Sequence, residues 1–446
     1  MSDVIKLRKG LDIRLKGRAE TVYGQAAEPE LYAIKPTDFW GLKPKMAVKE
    51  GDNVQAGDVL FFDKQRPEIK FVSPVAGQVS AIVRGERRAI LAVVVKASAA
   101  PAPVEVGKLD VASASRKQII EKLLATGAWT YFRQRPYNVI ADPDVKAKAI
   151  FISTFDTAPL APDYDHIIRG NEQAFQAGVS ALARIAPVFI GARSTGASKA
   201  FTEAKDAKVT LFAGKHPAGC VGVQINNVSP INAGEKVLTI QPQEVVAIGK
   251  IFADGKLDFS RVIVLDGSQV AKPAYYRTTL GAQLTTILAN ANLQGSRVIS
   301  GNVLTGTKVQ ADGFLGYYDS QVTVIPEGDK PEFFGWITPG LNKFSASRTF
   351  FSWLTPSKEY DLDTNTHGEP RAIVVSGEME NVFPMDIYPE HLIKAILAKD
   401  IDKMIDLGIL EVVEEDMALC EFVSTSKVPV QRILRNGLNL MIQEVG

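Results

Sequence analysis

Cysteine is scarce in this sequence, which has only Cys220 and Cys420 among its 446 residues. Two thiols so far apart do not form the dense disulfide framework of small secreted domains, so we expect a reducing compartment. Two thiolates are also fewer than the four that an ordinary iron–sulfur cluster requires. The four histidines show no spacing typical of metal ligands. The sequence therefore predicts no metal site.

Long apolar runs and an excess of one charge are also missing. No stretch approaches the roughly 18 apolar residues of a membrane-spanning helix, and the opening MSDVIKLRKG lacks the apolar core of a secretory signal. We therefore expect membrane association only through partner proteins or through a surface that the sequence does not reveal. Lys and Arg number 51 against 50 Asp and Glu, which does not favour a nucleic-acid partner.

What is present predicts a multidomain α/β and β fold of four segments. In residues 1–105, short apolar runs alternate with turn residues, as in EGDNVQAGDVLFF and SPVAGQV. This spacing resembles the β-barrel of biotinyl and lipoyl carriers. Arg66 and Pro67 stand near the place of the modified lysine, so we expect a scaffold rather than a swinging arm. An Ala/Pro-rich linker, ASAAPAPVEV, ends the segment.

The second segment, 106–255, alternates helical and strand-like patterns. Ser115 and Gln118 match the capping box Ser-x-x-Gln, and 172–185 predicts a further helix. Strand-like runs lie at 149–152, 188–190, 209–212 and 245–248. The alternation predicts an α/β domain with a largely parallel sheet. Because neither G-x-G-x-x-G nor G-x-x-x-x-G-K-[ST] occurs here, no dinucleotide or nucleotide-phosphate site is predicted.

The third segment, 256–330, contains strand patterns and one short helical face. The strands are predicted at 261–265, 298–301 and 322–325, and the helical face at 280–288. The stretch RVISGNVLTGTKV resembles the soluble-ligand-binding β-grasp module. This segment is therefore expected to form a small β domain.

The last segment, 331–446, combines an aromatic run with helices. We expect the aromatic run at 333–353 to be mostly core. Pro389 begins a predicted helix that ends at Gly408, and a second helix is predicted at 430–442. The acidic group at 411–416 between them is expected to be a solvated face.

Several motifs, in this order, carry a resemblance that spans nearly the whole chain. They are GAWTYFRQRPY at 127–137, FDTAPLAP at 155–162, KHPAG at 215–219, SGNVLTGTK at 300–308 and FFGWITPGLNKFSASR at 333–348. Together they resemble the A subunits of the bacterial Na⁺-translocating NADH:quinone oxidoreductases. The chain is more distantly similar to the FMN- and NADH-binding subunit of respiratory complex I and to the C subunit of the Rnf complex.

The resemblance implies a biotinyl/lipoyl-like barrel, a Rossmann-like α/β domain, a β-grasp module and a C-terminal helical region. It also implies a peripheral subunit on the cytoplasmic face of the bacterial inner membrane, in a complex of six subunits. Such a complex couples electron transfer from NADH to ubiquinone to sodium export. It is expected to use flavins, an iron–sulfur cluster, NADH and ubiquinone.

Departures from the complex I pattern indicate that this chain binds none of those cofactors itself. In the relatives a glycine-rich loop lets the backbone approach the flavin phosphate. The matching stretch here, from Gly127 to Arg133, has bulky side chains that would fill the space of the cofactor. Val221 stands where the relatives have an acidic residue for NADH. Of the clustered cysteines in the relatives, only Cys420 remains. The sequence predicts no catalytic residue. Two interpretations therefore compete with a quinone-contacting subunit: a structural scaffold, or a stand-alone flavin-dependent NADH dehydrogenase.

A quinone head group needs flat apolar walls and a few donors to its carbonyl oxygens. The sequence offers both in one stretch and one loop, and we predict quinone contact by Trp129, Tyr131, Phe132, Arg133, Arg135 and His216. His216 follows a predicted strand and is the histidine best placed for such a contact. The alternative is that Trp129 and Phe132 fill the vacated flavin cavity while the arginines face solvent or a partner subunit.

Overall fold

A computed structural model describes residues 4–329, 332–335, 340, 342–347 and 349–445 of the chain. Short strands dominate its first three quarters and helices its last quarter. The strands are β1 Val4–Lys6, β2 Leu31–Ile34, β3 Pro44–Met46, β4 Asn53–Val54, β5 Val59–Asp63, β6 Lys70–Val72, β7 Gly77–Arg84, β8 Ile90–Ala97, β9 Val104–Glu105, β10 Arg133–Arg135, β11 Val139–Ile140, β12 Ala149–Ser153, β13 Val188–Arg193, β14 Ala207–Ala213, β15 Val237–Thr239, β16 Lys256–Leu257, β17 Ser260–Asp266, β18 Ala274–Thr279, β19 Ser296–Ser300, β20 Thr307–Val309 and β21 Gln321–Pro326.

The α-helices are α1 Arg116–Ala125, α2 Tyr164–Ile167, α3 Glu172–Ala183, α4 Lys199–Thr202, α5 Val221–Val228, α6 Pro242–Ala253, α7 Glu378–Val382, α8 Pro389–Ala398, α9 Ile401–Asp406, α10 Glu414–Val423 and α11 Val430–Glu444. The predicted capping box is confirmed, because the Ser115 and Gln118 side chains each bond the other's backbone at the start of α1. Within the described parts of the chain, no helix is both long and apolar enough to cross a membrane.

A seven-stranded sheet in the order β1-β14-β13-β12-β15-β10-β11 forms the centre of the α/β region. Strands β1, β14, β13, β12 and β15 run parallel, and β10 and β11 add an antiparallel edge. Helices α3 and α6 pack against each other, and their apolar side chains share a core with β12 and β13. The predicted parallel α/β arrangement is confirmed, with β1 added from the very start of the chain.

Two small antiparallel sheets, β2-β8-β7-β4 and β3-β5-β6, form the N-terminal β region. Their inward side chains, among them Tyr32, Phe61, Phe71 and Val95, are buried together. The hairpin between β5 and β6 carries Arg66, whose guanidinium lies 2.5 Å from the Asp142 carboxylate of the α/β region. The residue at the carrier-like tip is thus held in an ion pair.

The third region is a five-stranded mixed sheet, β18-β17-β21-β19-β20, in which only the β17–β21 pair is parallel. Helices α7–α11 form the last region, where Leu392, Met404, Leu434 and Leu438 are buried in a common core. That core also takes in Ile13 from near the start of the chain. The two ends of the sequence therefore pack together.

Four predictions about helices, strands and the apolar core are wrong. Residues 245–248 are not a strand, because they lie inside α6. The stretch 280–288 is irregular, with only a 3₁₀ turn at Ile287–Asn290. The helix predicted from Pro389 to Gly408 is divided at Lys399, whose positive φ of 56° ends α8 before Asp400 caps α9.

The fourth wrong prediction concerns the aromatic run at 333–353, which does not form core. Phe333 is 87% exposed, and Phe334, Phe351 and Trp353 also have about half of their surface accessible. Among the described aromatic residues of this run, only Phe344 packs partly against the C-terminal core. Trp336 belongs to the predicted run but lies outside the described residues.

Candidate functional site

A cleft of about 90 Å³ opens at the carboxyl ends of β12 and β15. Because these two neighbouring strands are parallel, the segments that follow them meet at the same edge of the sheet, where α/β folds usually bind ligands. The cleft is lined by Arg133, Ser153, Phe155, Asp156, Ala158, Tyr164, His216, Gly219, Cys220, Val221, Thr239, Ile240, Gln241, Asn302, Leu304, Thr305 and Glu415.

Arg133 and Tyr164 bring hydrogen-bond donors to the cleft. Arg133 begins β10, and its guanidinium lies 5.0 Å from the centre of the Tyr318 ring. This cation–π contact orients the side chain without neutralising its charge. The Tyr164 hydroxyl lies 3.4 Å from Gln241 Oε1, and burial raises the pKa of this phenol above its ordinary value. Tyr164 is therefore a neutral donor at physiological pH.

His216 is almost completely buried at the base of the cleft. Its backbone N–H donates to Asp12 Oδ1 at 3.0 Å, which fixes the loop after β14. Thr157 Oγ1 lies 3.1 Å from Nδ1 of the imidazole and accepts a hydrogen bond from the Gly219 N–H. The hydroxyl hydrogen can then be donated to Nδ1, an arrangement that favours the tautomer with its hydrogen on Nε2. Burial lowers the pKa of His216 to about 4, so the ring is neutral at pH 7.

Two carboxyl groups, from Asp156 and Glu415, also face the cleft. Burial raises the pKa of Asp156, and the nearby Glu415 charge raises it further. The N–H of Ala158 donates to Asp156 Oδ1 at 2.8 Å and holds the carboxyl in place. The shift favours the protonated form of Asp156 relative to an ordinary aspartate.

Arg135, two residues beyond Arg133, lies outside the cleft in a buried ion pair. Its guanidinium contacts the Asp416 carboxylate and lies 2.5 Å from Glu415 Oε1, and both Arg135 and Asp416 are fully buried. Burial raises the pKa of Asp416 above its ordinary value, against the opposing effect of Arg135. Gly222 is required beside this pair, because a Cβ there would stand 2.3 Å from Arg135 Nη1.

The sequence predicted that the acidic group at 411–416 is a solvated face, and this prediction is wrong. Glu414 pairs with Arg435, whose guanidinium also donates to the Tyr137 carbonyl at 2.9 Å. Glu415 and Asp416 pair with Arg135. These contacts join α10 and α11 to the α/β region. They place Arg135, which was predicted to contact quinone, in a buried ion pair, and it does not face solvent as in the alternative interpretation.

The three aromatic residues predicted to contact quinone lie in the core. Trp129 and Phe132 are buried with ring centres 4.8 Å apart, and the indole N–H of Trp129 donates to the Ala141 carbonyl at 2.8 Å. Tyr131 is buried beneath the Arg261 guanidinium, 5.4 Å from its ring centre. The structure thus brings together only Arg133 and His216 of the six predicted residues at the cleft.

Reasoning from the sequence missed Asp156, Tyr164, Thr239 and Glu415. The first three lie at or after the carboxyl ends of strands that form the cleft. Ligands of parallel sheets usually bind at these ends, so the predicted strand at 149–152 was a signal for Asp156. Glu415 comes from α10, and no local signal places it there. Among the described residues, no group of three His, Cys, Asp or Glu side chains is arranged to hold a metal ion.

Three family models match consecutive parts of the chain. They describe the NqrA N-terminal barrel-sandwich hybrid domain at 5–98, the NqrA second alpha/beta domain at 114–257 and the NQRA C-terminal domain at 262–311. Curated proteins from Pseudomonas aeruginosa, Klebsiella pneumoniae and Shewanella frigidimarina, each named as the A subunit of a Na(+)-translocating NADH-quinone reductase, are 38% identical to it. Each alignment covers 99% of this chain and 100% of the relative.

The chain belongs to the NqrA family, the A subunits of Na⁺-translocating NADH-quinone reductases. This confirms the family that the motifs predicted. A chain of an NAD⁺-reducing [NiFe]-hydrogenase, crystallised in the air-oxidized state, is 14% identical with a TM-score of 0.36 over 74% of this chain and 61% of that one. That similarity is too low to support a conclusion. For a member of the NqrA family, the cleft around Arg133 and His216 is the candidate functional site.

Proposed function

We propose that this NqrA-family chain is a peripheral subunit on the cytoplasmic face of a six-subunit Na⁺-translocating NADH:ubiquinone reductase, and that its cleft contacts quinone. Family membership supports the role as a subunit, since the relatives are named as A subunits of Na(+)-translocating NADH-quinone reductases. The other five subunits would then supply the membrane path for sodium. Electron transfer from NADH to ubiquinone would belong to the assembled complex.

One observation carries the proposed quinone contact. Arg133 and His216 are far apart in the sequence, yet both line one cleft at the carboxyl edge of the sheet. With Tyr164 they supply donors suited to carbonyl oxygens. Apolar walls come from Phe155, Val221, Ile240 and Leu304. This combination of apolar walls and a few polar groups is what a quinone head group requires.

The raised pKa of Asp156 fits the same proposal. An ionised carboxylate would repel a quinone carbonyl oxygen, whereas a protonated carboxyl group can donate to it. Burial favours the protonated form of Asp156. Reduction of the quinone converts its carbonyl oxygens into hydroxyl groups. A carboxylate can then accept a hydrogen bond from such a hydroxyl group.

We further propose that this chain binds no flavin, nicotinamide or iron–sulfur cluster. The stretch that matches the flavin loop of the complex I protein does not fit FMN, because Trp129, Tyr131 and Phe132 fill it and pack in the core. The flavins and the cluster of the reductase would therefore be held by its other subunits. The visible spectrum of the purified chain tests this: flavin absorbance that survives gel filtration would contradict it and favour a stand-alone dehydrogenase.

The finer fold assignments belong to the same proposal. Residues 1–105, apart from β1 in the α/β sheet, would form a biotinyl/lipoyl-carrier-like barrel. The α/β region (106–255) would be Rossmann-like and the mixed sheet (256–330) a β-grasp module, followed by the connector and helices (331–446). Parallel strands joined by helices and the mixed five-stranded sheet support the middle two. Limited proteolysis that cuts first within 97–106 would support the first boundary.

A structural scaffold is the second candidate, and one observation favours it. Trp129, Phe132 and Arg135 are fully buried and contribute to packing rather than to the cleft. In this case the protein would only join membrane partners, and quinone would bind elsewhere in the complex.

Titration of the purified full chain with a soluble short-chain ubiquinone separates the two candidates. We expect saturable binding that Arg133→Ala weakens about tenfold, since a hydrogen bond from a charged donor contributes about 1.5–3 kcal/mol. Arg66→Ala is the matched control, because it removes an arginine held in an ion pair away from the cleft. If the folded protein binds no ubiquinone, or if both variants weaken binding equally, the quinone contact is contradicted and the structural scaffold is favoured.

A further inference from the structure

The loops that follow β12 and β14 meet beside the cleft. Strands β12, β13 and β14 run parallel, so their carboxyl ends lie at one edge of the sheet. Thr157 comes from the first loop and His216 from the second, 59 residues further along the chain. Their side chains are in contact, with 3.1 Å between Thr157 Oγ1 and Nδ1 of the imidazole. The fold thus brings a hydroxyl group to one ring nitrogen of the cleft histidine.

The hydroxyl group of Thr157 can satisfy its hydrogen bonds in only one way. Its oxygen accepts from the Gly219 N–H at 2.9 Å, and a backbone N–H can only donate. Within the described part of the chain, Nδ1 of His216 is the only acceptor for the hydroxyl hydrogen. If Nδ1 carried a hydrogen, the Thr157 hydroxyl would lose this acceptor, which is unfavourable for a partly buried polar group. Nδ1 is therefore the unprotonated nitrogen.

Close backbone packing leaves Thr157 little freedom to move away from His216. A Cβ at Gly219 would stand 2.7 Å from the Thr157 nitrogen, so only glycine fits there. Ser153 Oγ lies 2.8 Å from the Gly219 carbonyl oxygen and accepts from the Gln224 side chain, also at 2.8 Å. These contacts hold the two loops together.

The other ring nitrogen of His216, Nε2, is left for a ligand. Burial lowers the pKa of His216 to about 4, so the ring is neutral at pH 7 and only one nitrogen carries a hydrogen. That nitrogen is Nε2, because Nδ1 accepts from Thr157. Among the described residues, both ring nitrogens of His166 are buried without a partner, but Nε2 of His216 is not such an atom. His216 lines the cleft, so its Nε2–H can be donated to a bound group.

We propose that Thr157 is a positioning residue that fixes His216 as a hydrogen-bond donor, so that the group bound opposite Nε2 is an acceptor. A carbonyl oxygen meets this requirement, whereas a group that can only donate does not. The inference rests on the proposed quinone contact for the identity of the ligand. The tautomer of His216, in contrast, is a property of the free protein.

The tautomer can be measured from the ¹⁵N resonances of the imidazole rings. The chain has four histidines, and the signals that disappear in His216→Gln belong to His216. In the full-length wild-type protein at pH 7, we expect Nδ1 to resonate as an unprotonated nitrogen and Nε2 as a protonated one. Thr157→Val removes the hydroxyl group, so the two resonances should move towards each other as the second tautomer becomes populated. Thr157→Ser keeps a hydroxyl group and should retain the wild-type shifts.

Titration with a soluble short-chain ubiquinone relates the tautomer to binding. Thr157→Val should weaken binding about fivefold, the effect of one neutral hydrogen bond, and Thr157→Ser should bind like wild type. Thr154→Val is the matched control, because Thr154 is a buried threonine directly after β12 whose hydroxyl donates to the Gly191 carbonyl at 3.0 Å. It should change neither the His216 resonances nor the affinity. Urea denaturation of each variant confirms that it remains folded.

The proposal would be overturned by a wild-type spectrum in which Nδ1 carries the hydrogen, or by a Thr154→Val variant that shifts the His216 resonances as much as Thr157→Val. If Thr157→Ser also loses the wild-type shifts, Thr157 contributes only packing and the proposal is wrong. A wild-type protein with the expected tautomer that binds no ubiquinone would support the role of Thr157 and contradict the quinone contact. The two failures are therefore distinguishable.

Discussion

Two stretches of this chain are alike in composition and opposite in environment. The first, from Trp129 to Tyr137, and the second, from Phe333 to Lys358 and here called the aromatic segment, both combine aromatic rings with basic side chains. Most of the first is buried: Trp129, Tyr131 and Phe132 lie in the core that the N-terminal β region shares with the α/β region, and β10 is a strand of the α/β sheet. The second has its rings largely in solvent. Aromatic and basic content therefore does not decide whether a stretch becomes core or surface.

What decides is the set of partners brought from elsewhere in the chain. In the first stretch, Arg135 pairs with Asp416 and Glu415 from α10, and Arg133 lies over the Tyr318 ring. Its strand β10 also pairs with β15. In the described part of the second stretch, Lys343 is bound by its own segment and by Glu332 beside it.

The largest effect is expected at Trp129. Trp129→Ala would remove a fully buried ring and its hydrogen bond to Ala141, at a cost of about 4 kcal/mol in the free energy of unfolding. Urea denaturation followed by circular dichroism measures this. A loss below about 1 kcal/mol would mean that the first stretch is not core.

A slightly smaller effect is expected at Arg135. Arg135→Ala would leave the buried Asp416 carboxylate without its partner and lower the free energy of unfolding by about 3 kcal/mol. Adding Asp416→Leu should restore part of the loss, because an apolar pair does not require a counter-charge. If the single variant unfolds like wild type, the ion pair does not hold α10 to the α/β region.

The cleft should make stability depend on pH. Burial lowers the pKa of His216 to about 4, so the folded protein disfavours the charged ring. The stabilisation is present above the unfolded value of about 6.5 and is lost as the pH falls towards 4. Between pH 7 and 5 we expect a loss of about 2 kcal/mol from this group. His216→Gln should lose less stability over that interval, and equal losses in both proteins would contradict the assignment.

The smallest effect is expected in the aromatic segment. Phe333→Ala should change the free energy of unfolding by less than about 0.5 kcal/mol, because the ring is already in solvent. The same urea experiment measures it beside Trp129→Ala. A loss comparable to that of Trp129→Ala would show that the two stretches are packed alike.

Local patterns predicted most of the α/β region. The capping box at Ser115 and the strand at 149–152 need only neighbouring residues, and both are confirmed. Residues 245–248 were misread because α6 is buried on nearly all sides, so its apolar residues show no helical period. Pro242 at the first turn of α6 was the available signal for a helix.

The candidate site was less predictable, because it is assembled from distant residues. Arg133 and His216 were chosen for their chemistry, and the fold places both at the cleft. Glu415 reaches the same cleft from α10, and Arg135 turns away from it to meet Asp416. Pairings across some 280 residues leave no trace in local spacing. Composition at 411–416 therefore suggested a solvated face where the structure has buried ion pairs.

The position of β1 in the sheet affects how the chain folds during synthesis. β1 pairs in parallel with β14, and Val4 lies opposite Leu211. At a synthesis rate of about 5–20 residues per second, the ribosome needs roughly 10–40 s to deliver the second strand after the first. During that time β1 has no partner, and the sheet is complete only after β15 has also been made. A fragment that begins after β1 would expose the edge of β14 and invite aggregation.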